Sequence, residues 1–464
     1  MSHDTAIPVP HVTEALTELA AILPGEVMTP ADPDWAEQSL GWVRSVDQRP
    51  RAVVTVADEE DVVATVRTAA RHGLVVAAQP VGHGATTALD RTVLVRTRAL
   101  RSIDVDPVAR VARVGAGVKW GELLAATEPF GLTALAGSSP DPSVVGFSLG
   151  GGLSWFSRAH GLAAHGVVAV ELVDATGELR RVTAASDPDL FWALRGGGGD
   201  FGIVTAMEVE LHPVPHLYGG RLMWPIEMAR PVLTAFAAVT ATAPDELTLW
   251  AHLFRFPAMP MVPEPLRGRA FVSVDVAHLG SAEEAEALLV RLREVPALFS
   301  DSLGTVPLSE LGGIAAEPVD PMPVAEMSGL LHAFDDEAID RLLAVAGAAV
   351  ESPLAVVQVR HLGGAIARAG AADGPSGAVL EPYQLFSLGV PMFPELAEAI
   401  QGSFASLRGA LAGYFTGRTF FNFLGASEDP GRAFGDDALA RLQAVKRAVD
   451  PDGTIRSNRP VLRP

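Results

Sequence analysis

His83 stands between two glycines in Val81-Gly82-His83-Gly84-Ala85-Thr86, and a glycine tract follows at Gly146-Phe147-Ser148-Leu149-Gly150-Gly151-Gly152. An imidazole is neutral near neutrality, nucleophilic, and able to form a bond that survives turnover. Flanking glycines expose its ring nitrogens and free backbone N–H groups to wrap an anion. The second tract lets main chain approach something large and flat, because a Cβ would be in the way. Together they describe a site for an organic cofactor with a phosphate end and a ring end. Taken singly, each also reads as an ordinary turn.

The elements that must position these residues are legible nearby. Ala52-Val53-Val54-Thr55-Val56 is a β-branched run that leads into a helix capped by Asp58 and stopped at Gly73. Leu74–Ala78 is the strand that delivers the chain to His83. Further strands are expected at 93–97, 110–114 and 167–173, with a turn at Thr176-Gly177. A helix over 188–194 stops at the glycine run 196–199, and the strand 203–211 follows. The composition changes near Pro213-Val214-Pro215. From there to 412 strands are expected at 247–254, 269–278, 355–361 and 383–389, with Ser281 and Glu284 forming a capping box. The proline-rich loop 256–263 is expected to be ordered only at its ends, and 369–378 to be a surface loop. Residues 419–424 read as a strand, and a helix is expected over 437–449.

Composition excludes several classes. The 464 residues, 48% hydrophobic and 19% charged, are those of a globular chain with ample core. A net charge of −20 argues against nucleic acid and against an anionic membrane surface. No run has the length of a membrane helix and the start lacks a signal peptide, so a soluble, cytoplasmic protein is expected. The chain has no cysteine, which removes disulfides, thiolate metal sites and thiol nucleophiles. Val114-Gly115-Ala116-Gly117 lacks the spacing of a dinucleotide fold, and no metal-binding or P-loop motif is present.

The ordered string of motifs is more specific than any one of them. It runs V-G-H-G, Val114-Gly115-Ala116-Gly117, Ala136-Gly137-Ser138-Ser139-Pro140, G-F-S-L-G-G-G, His160-Gly161-Leu162-Ala163 and F-W-A-L-R-G-G-G-G-D-F-G-I-V-T, and closes with Asn422 and Asp450-Pro451. This resembles the FAD-linked oxidases of the vanillyl-alcohol oxidase superfamily, in their berberine-bridge-enzyme-like and 6-hydroxynicotine-oxidase-like branch. The resemblance is strong over 50–212 and 417–460 and weak between. It implies an α+β fold: a two-part FAD-binding domain of the PCMH type (1–214, completed by 413–464), and a substrate domain (215–412) with an antiparallel sheet flanked by helices.

The same resemblance implies roles for particular residues. His83 would bond the 8α-methyl of the flavin, and Val81, Gly82, Gly84, Ala85 and Thr86 would form the pyrophosphate loop. Ser138, Ser139, Val144, Gly146, Ser148, Leu149, Gly150, Gly151 and Gly152 would line the flavin. Gly202, Ile203 and Val204 would meet the adenine-ribose half, and Asn422 would close over the ring, with Asn458 a weaker choice. Several positions depart from the family pattern. Gln79-Pro80-Val81-Gly82-His83 replaces R-S-G-G-H and lacks a cation, Ser139 lies where relatives carry a second, cysteinyl tether, and Asp200 replaces an asparagine. Phe420 stands where relatives have a tyrosine, which removes a phenol often used near the flavin.

In the middle segment, strand alternation puts Trp250 and His252 on one face of a strand and Gln358 and Arg360 on one face of another, with Tyr383 on a third. These are the expected pocket residues: Trp250, Gln358 and Arg360 for the substrate, His252 or Tyr383 for the base. The expected function is hydride removal from a small organic molecule (an alcohol, an amine or a natural-product intermediate) with O2 as acceptor. A sugar oxidase, or a redox-neutral flavin-containing cyclase or ligand-binding protein, are the alternatives.

Overall fold

A computed structural model describes residues 10–425 and 428–462 of the chain. Two sheets carry the first part. Strands β1 (Val27–Met28), β2 (Ala52–Thr55), β3 (Val76–Ala78) and β4 (Val93–Arg96) form the first, in the order β1-β2-β4-β3. Within it β4 runs parallel to both β2 and β3. Helix α1 (Glu59–Arg71) connects β2 to β3 and buries Val62, Val66 and Ala69 against this sheet. Its start is fixed by Asp58, whose carboxylate accepts the Asp61 N–H at 3.0 Å, and its stop by Gly73 at φ +64°.

The second sheet is antiparallel and five-stranded. It comprises β5 (Ile103–Asp106), β6 (Val111–Gly115), β7 (Val167–Val173), β8 (Leu179–Val182) and β9 (Ile203–Glu210), ordered β5-β6-β9-β7-β8. Because β6 pairs antiparallel, no βαβ unit stands at Gly115-Ala116-Gly117, in keeping with the rejected dinucleotide motif. The short helix α2 (Val144–Leu149) and helix α3 (Pro188–Leu194) pack into the same core.

Residues 218–389 build one large antiparallel sheet. Its main strands are β10 (Tyr218–Pro225), β11 (Leu247–Arg255), β12 (Ala270–His278), β13 (Ala325–Leu331), β14 (Leu354–His361) and β15 (Tyr383–Gly389). Their spatial order is β10-β12-β11-β14-β15-β13, with short edge strands beside β10. One face packs on helices α4 (Ala229–Thr240), α5 (Asp336–Ala346) and α6 (Pro394–Ala410) through Leu222, Val274, Leu249, Ala251, Val357, Leu385 and Leu331. Strands β1, β5, β8, β10 and β13 are additional to those expected from the sequence.

The chain end returns to the first part. Ile455 bridges β3 beside Val76, and helix α7 (Asp436–Val449) packs Leu442 and Val445 into the five-stranded region's core. One expectation is corrected here. Residues 419–424 form a helical turn at Phe421–Phe423, because Phe420 and Phe421 bury into different clusters and no strand pairs with them. The segment 369–378 is a surface loop as expected, exposed at Gly370, Ala371 and Ala372, and is tied to the end of α3: the Trp192 indole N–H donates to Ala371 O at 2.8 Å, and Arg195 donates to Ala372 O. The loop 256–263 folds around Arg267, whose guanidinium donates to the carbonyls of Met259, Pro260 and Val262. Among the described residues no helix is long and apolar enough to cross a membrane.

Candidate active site

The Val81–Thr86 loop leaves β3 and is held from two sides. On one, Trp42 N–H donates to Val81 O and Val43 N–H to Gly82 O, at 3.1 and 3.3 Å. The contact is so close that a Cβ on Gly82 would fall 2.5 Å from Gly41 Cα, and Gly82 sits at φ +102°. Only glycine fits both constraints. On the other side, Thr86 N–H donates to Asn458 Oδ1 at 3.1 Å and its hydroxyl to Asn458 O at 2.6 Å. Arg459 lies on Gly84, donating to its carbonyl and to Leu424 O. Asn458 is thus an anchor of the loop.

His83 stacks on Trp42, with ring centroids 4.4 Å apart. Its Nε2 is 2.9 Å from Asp141 Oδ2, and Asp141 also pairs with Lys119. Burial works against the Asp141 carboxylate, but the bonds from His83 and Lys119 outweigh it and hold its pKa below the usual range. A carboxylate at Nε2 favours the tautomer with the proton there and leaves Nδ1 as the free nucleophilic nitrogen. The ring keeps 28% of its surface open, enough to be reached. A groove of about 470 Å³ opens beside Val81, and Arg44, Arg96, Arg98 and Lys119 line it. Glu37, Asp141 and Asp320 line it too, and Arg44 pairs with Glu37 and Lys119 with Asp141. None of Trp42, Asp141, Lys119 or Arg459 was singled out from the sequence, where nothing marks them as neighbours of His83.

The glycine tract lies against the C-terminal segment. Asn422 donates to Phe147 O at 3.0 Å, and a Cβ on Gly150 would fall 1.5 Å from Asn422 Oδ1, so no side chain fits there. Gly196 abuts Gly151, and Gly198 N–H donates to Leu149 O at 2.8 Å. Ser148 Oγ is buried without a partner among the described residues, and Gly146 is exposed. Ser138 and Ser139 are half-buried, and Ser139 Oγ accepts the Asp141 N–H, bringing it close to His83. Val144, Leu149, Ile203 and Val204 turn their side chains into the cores, so only their backbone is left to meet a ligand. Asp200 accepts the N–H groups of Ser457 and Val461 at 2.7 and 2.6 Å, and thereby pins the returning chain end.

The large sheet turns its other face toward this region, and that face is polar. Register places Arg221, Asp275, Trp250, Arg360 and Gln384 in one row across five strands, and Ser273, His252, Gln358, Phe386 and Ser328 in the next. Trp250 stacks on Trp155 with centroids 3.7 Å apart. Arg221 makes a two-pronged bond to Asp275, at 2.5 and 2.7 Å. Arg360 Nε donates to Gln358 Oε1 at 2.5 Å, and the Gln358 amide nitrogen contacts His252 Nε2. Ser273 Oγ, His252 Nδ1 and Gln384 Oε1 are buried with no partner among the described residues.

The two candidate bases separate here. Tyr383 is on the helix side of the sheet, where its hydroxyl pairs with Thr240 at 2.7 Å and its ring packs among Phe236 and Phe334. One residue of strand parity puts it on the wrong face, which removes it from the pocket. His252 is on the polar face but only 2% exposed. Burial, reinforced by Arg221 and Arg360, holds its pKa well below the ordinary value and keeps it neutral. Glu326 is a residue that sequence reasoning missed. It shares the polar face with Ser328, two residues earlier on β13, and is exposed, with Arg459 and Arg360 acting on it through space. Burial raises its carboxyl pKa against the pull of those two arginines. Just before it, Val324 packs with Trp42 and Ala85 of the His83 region.

Comparison with known proteins places the chain among FAD-linked oxidoreductases. Residues 50–183 match the family model of an FAD binding domain. The chain is 27% identical over 461 residues to (R)-6-hydroxynicotine oxidase of Paenarthrobacter nicotinovorans, covering 94% of this chain and 96% of that protein. It is 34% identical over 223 residues to an FAD-dependent monooxygenase of Fusarium proliferatum, spanning 43% of that protein's length and 46% of its own. Among solved structures, 6-hydroxy-D-nicotine oxidase from Arthrobacter nicotinovorans superposes with a TM-score of 0.80 at 25% identity, over 94% of this chain and 97% of that one. A Physcomitrella patens BBE-like 1 variant shares the fold, with a TM-score of 0.85 at 18% identity over 96% and 99% of the two chains.

Proposed function

We propose that this chain, an FAD-linked oxidoreductase related to 6-hydroxynicotine oxidase, removes hydride from a small organic substrate held against the polar face of its large sheet. The observation that carries the reading is that face itself: buried groups without partners, opposite glycine-rich backbone. An apolar roof would suit a structural interface, whereas unpaired buried polar atoms cost stability unless a ligand or water meets them.

In this reading residues 1–214 and 413–464 hold FAD, and 215–412 hold the substrate. The residues present fit the cofactor. The Val81–Thr86 amides and the nearby cations suit the pyrophosphate, Gly150 with Asn422 leaves the backbone bare for a flat ring, and His83 offers Nδ1 as the tether. Bound FAD supplies a two-electron acceptor, with O2 as the final oxidant.

The chain's own residues do the rest. Trp250, Gln358 and Arg360 orient the substrate. Glu326 takes the proton, since it is the titratable group of the polar face with open surface and a raised pKa. His252 serves as a positioning residue: its Nε2 is engaged by Gln358, and it fixes the amide that in turn holds Arg360. A sugar oxidase is less favoured, because the stacking rings of the roof surround a cation rather than an open cleft. The test is anaerobic addition of substrate candidates to the purified flavoprotein. Bleaching of the flavin absorption is expected, and a yellow protein unchanged by every substrate it binds would exclude the oxidation.

A further inference from the structure

Arg360 is the one guanidinium of the roof whose charge the chain leaves unanswered among the described residues. It is 4% exposed, yet its only hydrogen bond is from Nε to Gln358 Oε1. Both terminal nitrogens lack a partner among the described residues. Three carboxyls, Glu317, Glu326 and Asp275, act on it through space, but none lies within ion-pair distance and Asp275 is already taken by Arg221. Aromatic rings surround it instead: Trp250 at 4.1 Å, Phe423 at 5.0 Å and Phe386 at 5.3 Å from the guanidinium carbon. The other two buried arginines among the described residues are engaged. Arg96 donates to three carbonyls and Arg158 to four.

Rings offset part of the cost of burying a cation but offer nothing to its N–H fork. That fork matches a planar oxyanion, and the aromatic walls match a flat apolar body carrying it. Around Arg360 stand the unpartnered His252 Nδ1, Ser273 Oγ and Gln384 Oε1, on the same sheet face. We infer that Arg360 anchors an anionic oxygen of the substrate, so that the enzyme acts on an aromatic or conjugated molecule bearing a carboxylate or phenolate. This rests on the proposed function, because it takes the polar face to be the substrate site.

The test uses the FAD-loaded holoenzyme, with bound flavin measured first, and titrates benzoate, 4-nitrophenolate and neutral benzyl alcohol by calorimetry and by flavin difference spectra. Benzoate or 4-nitrophenolate should bind and perturb the spectrum, and the one that binds tells which anion is read. Benzyl alcohol should bind far more weakly. R360Q should weaken anion binding on the order of tenfold to a hundredfold, as expected on losing a charge-assisted bond. R360K, which keeps charge and bulk, should recover part of it, and both variants should keep their FAD and melting temperature. Equal binding of the neutral alcohol, or anion affinity unchanged in R360Q, overturns the inference. So does a variant whose flavin potential shifts while its benzoate affinity stays, since Arg360 would then serve the flavin. A protein that takes up no FAD at all refutes the proposed function instead, which keeps the two failures apart.

Discussion

The loop around His83 and the roof around Arg360 are both rich in buried polar groups, but they are finished in different ways. At the loop the chain supplies partners from both ends: Trp42 and Val43 from one side, Asn458 and Arg459 from the other, and Asp141 for the imidazole. At the roof Arg360, Ser273, His252 and Gln384 are left with unused donors or acceptors. A site whose shape the protein completes alone suits a resident group that must be held in one pose. A site completed only by what enters it suits a substrate that must come and go. The comparison can be broken at either end.

The largest effect is expected at His83. Wild-type protein precipitated in acid should keep its yellow colour, and a peptide containing His83 should carry the added mass of FAD. His83→Ala should release all its flavin on denaturation while still binding some when folded, because the loop amides remain. Asp141→Asn should slow attachment without abolishing it, since the neighbouring carboxylate only sets the tautomer. Complete release of FAD from acid-treated wild type would refute the tether and leave the fold untouched.

At the roof, Glu326→Gln should lower turnover by about a hundredfold or more with FAD content unchanged. Its carboxyl acts in the ionised form and burial raises its pKa, so wild-type kcat/KM should climb as pH rises through that value. The ascending limb should vanish in the variant. A variant that keeps both rate and pH profile would transfer the role of base to another group. His252→Gln should instead raise KM more than it lowers kcat, as fits a residue that acts through Gln358.

The two regions also differ in how far the sequence revealed them. The loop and the glycine tract are contiguous, and their chemistry is that of the backbone, so residue type alone announces it. Asp58, Gly73 and the Ser281–Glu284 box mark helix ends in the same direct way. The roof is assembled from six strands whose neighbours are far apart in the chain. Alternation correctly pairs Trp250 with His252 and Gln358 with Arg360, but it cannot say which face meets the cofactor half. Tyr383 failed on that point. Arg221 and Glu326 were invisible because β10 and β13 lack a clean apolar-polar alternation, Gly219, Gly220 and Gly329 interrupting them, and Asp275, on the expected strand β12, has its partner Arg221 on the missed β10. Aromatic content made 419–424 look like a strand, although its rings anchor separate clusters.

An unpartnered buried atom does not always await a ligand, and His212 sharpens the distinction. Its Nε2 is buried without a partner among the described residues, yet its ring is stacked on His160 with centroids 4.0 Å apart. Burial lowers both pKa values to about 4. In the unfolded chain each titrates near about 6.5, so that state binds protons first as pH falls. Stability is therefore full above about pH 6.5 and declines from there through pH 4. His212→Phe should flatten the fall in melting temperature over that window and leave substrate affinity unchanged. A change in KM without a change in the melting profile would place this pair with the roof instead.

The smallest effect is expected at Tyr383, one residue before Gln384 and on the opposite face of the same strand. Among the described residues its hydroxyl meets only Thr240, and its ring fills space among Phe236, Phe334 and His361. Tyr383→Phe keeps that ring and removes one buried hydrogen bond. The cost should be about 1 kcal/mol, read as a modest drop in melting temperature. Turnover, KM and flavin content should match the wild type, because burial and the Thr240 bond leave the phenol no route to the polar face. Gln384→Leu, one position along, should do the reverse: its Oε1 is buried and unpartnered, its Nε2 donates to Ser328 at 2.8 Å, and its change should raise KM. If Tyr383→Phe were the variant that lost activity, the two faces of the sheet would have been assigned the wrong way round, and the helix side would hold the substrate.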